Sequence, residues 1–226
     1  MPARLHHQYW IDKRSVGSEE RLQEHRARLT YEPTGQDQYP GKDDGPFPIF
    51  EETETMLGVP RFYGERAFGK VPFASPIARA PEDPRYAFAG TLLPLQLRAL
   101  NATVRCFRDG AGCGLLSLYC GAGKTVIALK VLSKLALPTL ILVHKEFLAT
   151  QWEERIATFM PNATVGRIKQ NTVQVEGRNI VIAMIQSVSM HDYPPGTFDG
   201  FGLVVVDEAH HIACRVFSRA LQRTAA

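Results

Sequence analysis

The pentapeptide Gly121-Ala122-Gly123-Lys124-Thr125 constrains this chain more than any other feature. A short apolar run with glycines on both sides, Leu115–Tyr119, precedes it. Apolar residues at helical spacing follow it: Val126, Ile127, Leu129, Val131, Leu132 and Leu135. Strand, glycine turn and helix, in that order, form the setting in which G-x-G-K-[ST] holds phosphate. The two glycines let the backbone curl until successive N–H groups face one point, and the helix start adds its positive dipole end. Lys124 can reach the β- and γ-phosphates, and the Thr125 hydroxyl can ligate Mg²⁺. The stricter loop template has a further glycine where this chain has Leu118, so the candidate loop is Leu118, Tyr119, Cys120, Gly121, Ala122, Gly123, Lys124 and Thr125. The bland alternative is a tight strand–helix turn with a solvated lysine.

The same alternation continues downstream. Residues 139–144 and 179–184 read as buried strands, and 201–212 as a strand followed by polar residues. Residues 146–159 read as an amphipathic helix with Phe147, Leu148, Trp152, Ile156 and Phe159 on one face. Strands alternating with helices imply an α/β fold with a parallel sheet. Ligands of such sheets bind at the carboxyl ends of the strands. The segment from Leu203 to His210 puts Asp207 and Glu208 at such an end. There Asp207 would hold Mg²⁺ through water and Glu208 would act as general base toward an attacking water, with His210 near enough to sense that chemistry. The alternative is a charged helix N-terminus.

Residues 1–88 differ from the rest. They hold most of the prolines, a polar helix candidate at 18–28 and extended candidates at 28–32 and 48–52, consistent with a small α+β domain; 89–226 form the second domain. Residues 1–90 carry 12 Lys/Arg and 14 Asp/Glu, the remainder 14 and 9, so the basic surplus lies with the loop and suits a polyanionic partner. The four cysteines show no C-x-x-C spacing, and the histidines show no metal-ligand spacing. No apolar run approaches the ~18 residues of a membrane span, and the first residues lack the apolar stretch of a signal peptide.

On these motifs, residues 89–226 resemble the first RecA-like domain of a superfamily 2 helicase with a DEAH signature. The "CGAGKT" and "DEAHHI" versions are most similar to XPB-type helicases and their relatives in large DNA viruses, including transcript-release helicases. In that family the loop commonly lacks the earlier glycine. The resemblance implies ATP and Mg²⁺ as cofactors, DNA or RNA as partner, and an intracellular protein of nucleus, cytoplasm or virus-infected cell. "LLPLQLRAL" (92–100) resembles the element that sets Gln96 on the adenine, with Leu93 at the family's arginine. "LVHKEFLATQW" (142–152), "VGRIKQ" (165–170) and "MIQSVSM" (184–190) resemble nucleic-acid motifs, which makes Lys145, Arg167, Lys169, Gln186 and Ser187 backbone contacts. Phe147 and Trp152 read as core.

The family binds ATP between two RecA-like domains, and the second is expected to be missing from this chain. The chain alone is then expected to bind ATP weakly, to hydrolyse it negligibly and not to unwind a duplex. A restriction- or remodeller-type duplex translocase motor remains open, as does a non-catalytic nucleic-acid-binding fragment.

Overall fold

In the computed structural model of the chain, the residues described are 4–5, 8–32, 45–71, 77–108, 112–209 and 215–224. They divide into two compact units: Met1–Ser75 with Val188–Asp192 and Glu208–Ala226, and Pro76–Ser187 with Tyr193–Asp207.

The first unit opens with β1 (Arg4–Leu5), β2 (Tyr9–Asp12), α1 (Glu19–Arg28) and β3 (Thr30–Tyr31). It continues with β4 (Phe47–Pro48), β5 (Glu51–Glu52), β6 (Met56–Val59) and α2 (Arg61–Phe68). Strands β1-β2-β6-β5 form an antiparallel sheet, and β3 pairs with β4. Ser18 caps α1 by accepting from the Arg21 N–H, with Glu19 and Glu20 in the first turn and arginines in the last, as the helix dipole favours. Tyr9, Ile11, Leu22, Leu57 and Val59 form the core. Helix α2 approaches β2 so closely that a Cβ on Gly64 would lie 2.2 Å from Tyr9 Cγ. That contact explains a glycine inside a helix, which otherwise costs ~1 kcal/mol. Nothing in the composition of "VPRFYGERAFG" announced this helix, because its helical face depends on the Tyr9 ring.

The second unit contains α3 (Pro94–Arg108), α4 (Lys124–Leu135), β7 (Thr139–Val143), α5 (Glu146–Phe159), β8 (Val165–Lys169), β9 (Thr172–Val173) and β10 (Ile180–Met184). Strand β11 (Leu203–Val206) completes it; helix α6 (Ile185–Met190) straddles the division between the units, and α7 (Arg215–Gln222) belongs to the first. The sheet order is β11-β7-β10-β8-β9; all pairs are parallel except β8–β9. Strand β7 is buried at every position, as the unbroken run Thr139–Val143 requires of a strand covered on both faces. Leu129, Leu132, Ile141, Val143, Trp152, Ile156 and Ile182 form the main core. The segment just before α3 is anchored to the end of α4: Arg79 donates to the carbonyls of Leu135 and Lys134, and Ala80 N–H donates to Ala136 O.

Two expectations are corrected. Residues 112–119, which include the apolar run before the loop, form no strand. Leu116 and Leu118 pack against Leu100, Ile127 and Val131, while Leu115 and Tyr119 stand exposed. The run therefore alternates like a half-buried strand, yet it is flanked by glycines and, among the described residues, no strand pairs with it. Phe147 is 63% exposed rather than part of the apolar face of α5. The buried stripe is Leu148, Ala149, Trp152 and Ile156, and one residue of helical rotation puts Phe147 outside it.

Candidate functional site

Parallel pairing aligns the carboxyl ends of β7, β8, β10 and β11 along one edge of the sheet. Lys145 follows β7, Gln186 follows β10 and Asp207 follows β11, so three of the sequence candidates sit just past strand ends.

The glycine loop enters α4 through Gly123, which has φ 82° and ψ 38°. Gly121 has φ 83°. Both are left-handed conformations that glycine reaches without steric cost. The Ala122 N–H donates to Tyr119 O at 3.3 Å and closes the turn. Lys124 Nζ donates to the carbonyls of Leu118 and Tyr119, at 3.2 and 3.4 Å, so its ammonium lies against the loop backbone. Thr125 and Leu118 are half-buried, Ala122 is buried, and Tyr119 and Cys120 are exposed.

Gln96 is built into this loop. Its Oε1 accepts from the Leu93 N–H at 3.0 Å, and its Nε2 donates to Ala122 O at 3.1 Å. A Cβ on Gly123 would come within 2.5 Å of that nitrogen. Gly123 is thus fixed by its backbone angle and by the buried amide beside it, a link that sequence spacing did not contain.

Asp207 continues the β11 ladder, its N–H donating to Leu142 O at 3.0 Å. Its Oδ2 accepts from the indole N–H of Trp152 at 2.8 Å. Glu208 is exposed and has φ 54°, uncommon for a residue with a side chain. His210 lies outside the described residues.

The nucleic-acid candidates divide. Lys145 is exposed at the start of α5, with its Nζ 5.9 Å from the centroid of the Phe147 ring. Arg167 is gripped by two carboxylates: Glu153 accepts from Nε and Nη2 at 2.5 and 2.6 Å, and Glu146 accepts from Nη1 at 2.5 Å. Lys169 pairs with the other Glu146 oxygen at 3.1 Å. The hydrogen bonds donated by Lys169 and then Arg167 hold the Glu146 carboxyl below the usual range, and those that Arg167 donates, to Glu153 first and then to Glu146, push Arg167 up. Gln186 donates through Nε2 to His144 O at 2.9 Å. Ser187 is buried and accepts from the Gln170 N–H at 2.9 Å. As the chain stands, Gln186 and Ser187 serve the local structure of the edge. Sequence reasoning missed the partners Glu146, Glu153 and Trp152; their polarity and helical position were visible, but not what they meet.

Comparisons with known proteins bear on the family and the fold of the chain. Residues 90–224 match the family model described as "Type III restriction enzyme, res subunit". The chain is 31% identical over 219 residues to "Putative ATP-dependent RNA helicase L396" of Acanthamoeba polyphaga mimivirus, covering 95% of this chain and 41% of that protein. It is 38% identical over 128 residues to "Putative helicase 109L" of Invertebrate iridescent virus 3, covering 54% of this chain and 39% of that one. The chain thus spans less than half the length of these relatives. The crystal structure of T4 UvsW is similar in fold, with a TM-score of 0.51 and 17% identity over 92% of this chain and 48% of its own. Among the described residues no helix is long and apolar enough to cross a membrane.

Proposed function

Since the chain belongs to the family described as "Type III restriction enzyme, res subunit", spanning residues 90–224, we propose that it is the ATP-binding part of a superfamily 2, DEAH-type nucleic-acid motor. In a protein of the relatives' length, hydrolysis would drive movement on RNA or DNA. Residues 1–88 are the accessory region of this reading and 89–226 the ATP-binding domain. The observation that carries it is the loop itself: two left-handed glycines, a lysine laid against the loop carbonyls and a twelve-residue helix starting at that lysine.

The donor set fits a magnesium nucleotide. Among the described residues no group of three or more His, Cys, Asp or Glu side chains is arranged as a metal cage. Mg²⁺ at phosphate sites uses one or two protein ligands plus phosphate oxygens, which the Thr125 hydroxyl and the Asp207 carboxylate can supply. Bound Mg²⁺ would neutralise charge that develops on the phosphate oxygens. The loop N–H groups and Lys124 bind the β- and γ-phosphates. Glu208 takes a proton from the attacking water. Lys145 contributes a backbone contact on the nucleic-acid edge, and Arg167 and Lys169 contribute once their carboxylate partners yield.

Two binding curves test this reading on the 226-residue chain: MgATP by equilibrium dialysis, and a labelled single-stranded oligonucleotide by fluorescence anisotropy. Both ligands bind, and Lys124→Ala weakens the nucleotide alone. Oligonucleotide binding without any nucleotide binding would make the loop vestigial and leave a nucleic-acid-binding module; binding of neither would overturn the proposal.

A further inference from the structure

The hydrogen bond from Trp152 to Asp207 joins two residues 55 positions apart in sequence. Trp152 is only 3% exposed and lies in the main core with Leu148, Ala149 and Ile156 of its own helix and Val143 of the neighbouring strand. Its ring is therefore held by packing before it meets the carboxylate. Asp207 is held from the backbone side as well, through Leu142 O. Asp207 is thus held at its main chain and at one carboxylate oxygen, by elements that meet within one compact unit.

The chemistry of the partner matters. A lysine or arginine at this position would orient the carboxylate but offset the negative charge that attracts a cation. An indole N–H is a neutral donor with no acceptor function. It orients Asp207, leaves its charge intact and cannot itself compete as a metal ligand. Hydrogen-bond partners behind metal-binding carboxylates have this role at many metal sites, and losing one typically weakens the metal ~10–100-fold.

We infer that Trp152 is the positioning residue of the magnesium site: its indole N–H holds the Asp207 carboxylate in the orientation that a nucleotide-bound Mg²⁺ requires. The inference rests on the reading of Asp207 as the metal-side carboxylate. It adds a function to α5, whose exposed start carries Lys145 and whose buried stripe carries Trp152 two turns further on. One rigid helix therefore bears both a candidate nucleic-acid contact and the donor to the metal-side carboxylate.

The test measures nucleotide binding to the 226-residue chain, first in EDTA and then across a Mg²⁺ titration, for the unmodified chain, Trp152→Phe and Asp207→Asn. Circular dichroism checks the fold of each variant. Because phenylalanine leaves space in the core, a second variant carries benzothienylalanine at position 152 in a Trp10→Phe background. That side chain keeps the shape of tryptophan and lacks the N–H. Both changes at 152 are expected to raise the Mg²⁺ midpoint by ~10-fold, while binding in EDTA stays within ~2-fold. If Asp207→Asn raises the midpoint and neither change at 152 does, the inference is wrong and the metal role of Asp207 stands. If Asp207→Asn leaves the Mg²⁺ dependence unchanged, the metal reading of Asp207 falls, and the role of Trp152 falls with it.

Discussion

The glycine loop and strand β8 belong to the same compact unit, and both carry cations that the sequence offers for phosphate binding. At the loop, Lys124 meets the backbone carbonyls of Leu118 and Tyr119, and the glycines have the left-handed angles their motif demands. On β8, Arg167 and Lys169 meet carboxylates of α5 instead. The difference is one of cause. The backbone angles of the loop follow from chemistry whose signals lie within five consecutive residues, although Gln96 packs against it from 26 positions away. The β8 cations are governed by partners 14 to 23 residues away, which spacing alone does not reveal.

Substitutions can break or sharpen this contrast. The largest effect is expected from Lys124→Ala, which removes a charged donor from the phosphates and should weaken MgATP by roughly 10- to 150-fold; calorimetry reads it directly, and unchanged affinity would place the loop on the same footing as β8. Gly123→Ala comes next. It meets both a positive φ and the Gln96 amide, so about 1–3 kcal/mol of stability should be lost in thermal or urea melts. Gly121→Ala should cost less, ~1–2 kcal/mol, because only its φ objects and no atom lies within 4 Å of the added Cβ. Equal losses at the two glycines would dismiss the role of Gln96 as a clamp on the loop. Glu146→Gln has the smallest effect on stability, under ~1 kcal/mol for a solvent-screened pair. It should still release Lys169 and one arm of Arg167. The slope of log affinity against log salt for single-stranded nucleic acid should then steepen by ~0.7 for each phosphate gained. An unchanged slope would remove β8 from the nucleic-acid footprint.

Much of the fold was legible in the sequence. Helix α5 spans the residues its periodicity marks, and β7 and β10 follow from short apolar runs of the length a buried strand needs. The run before the loop was misleading, because alternation shows which side chains are buried but not whether a neighbouring strand is there to pair. Phe147 was misplaced for a related reason: a single apolar residue beside a stripe has the composition of the stripe and not its angle. At the site, Gly121, Gly123, Lys124 and Asp207 were visible because their positions follow from strand ends and a helix start. The roles of Gln96 and Trp152 within the fold were not, since each is defined by a hydrogen bond to a residue 26 or 55 positions away.

On the proposed reading, the backbone amides of the loop cradle a triphosphate. Hydrogen–deuterium exchange with and without MgATP tests it at those amides. Exchange should slow on nucleotide addition across residues 121–126 and change little along 165–169. Unchanged exchange across 121–126 at saturating nucleotide would contradict that reading.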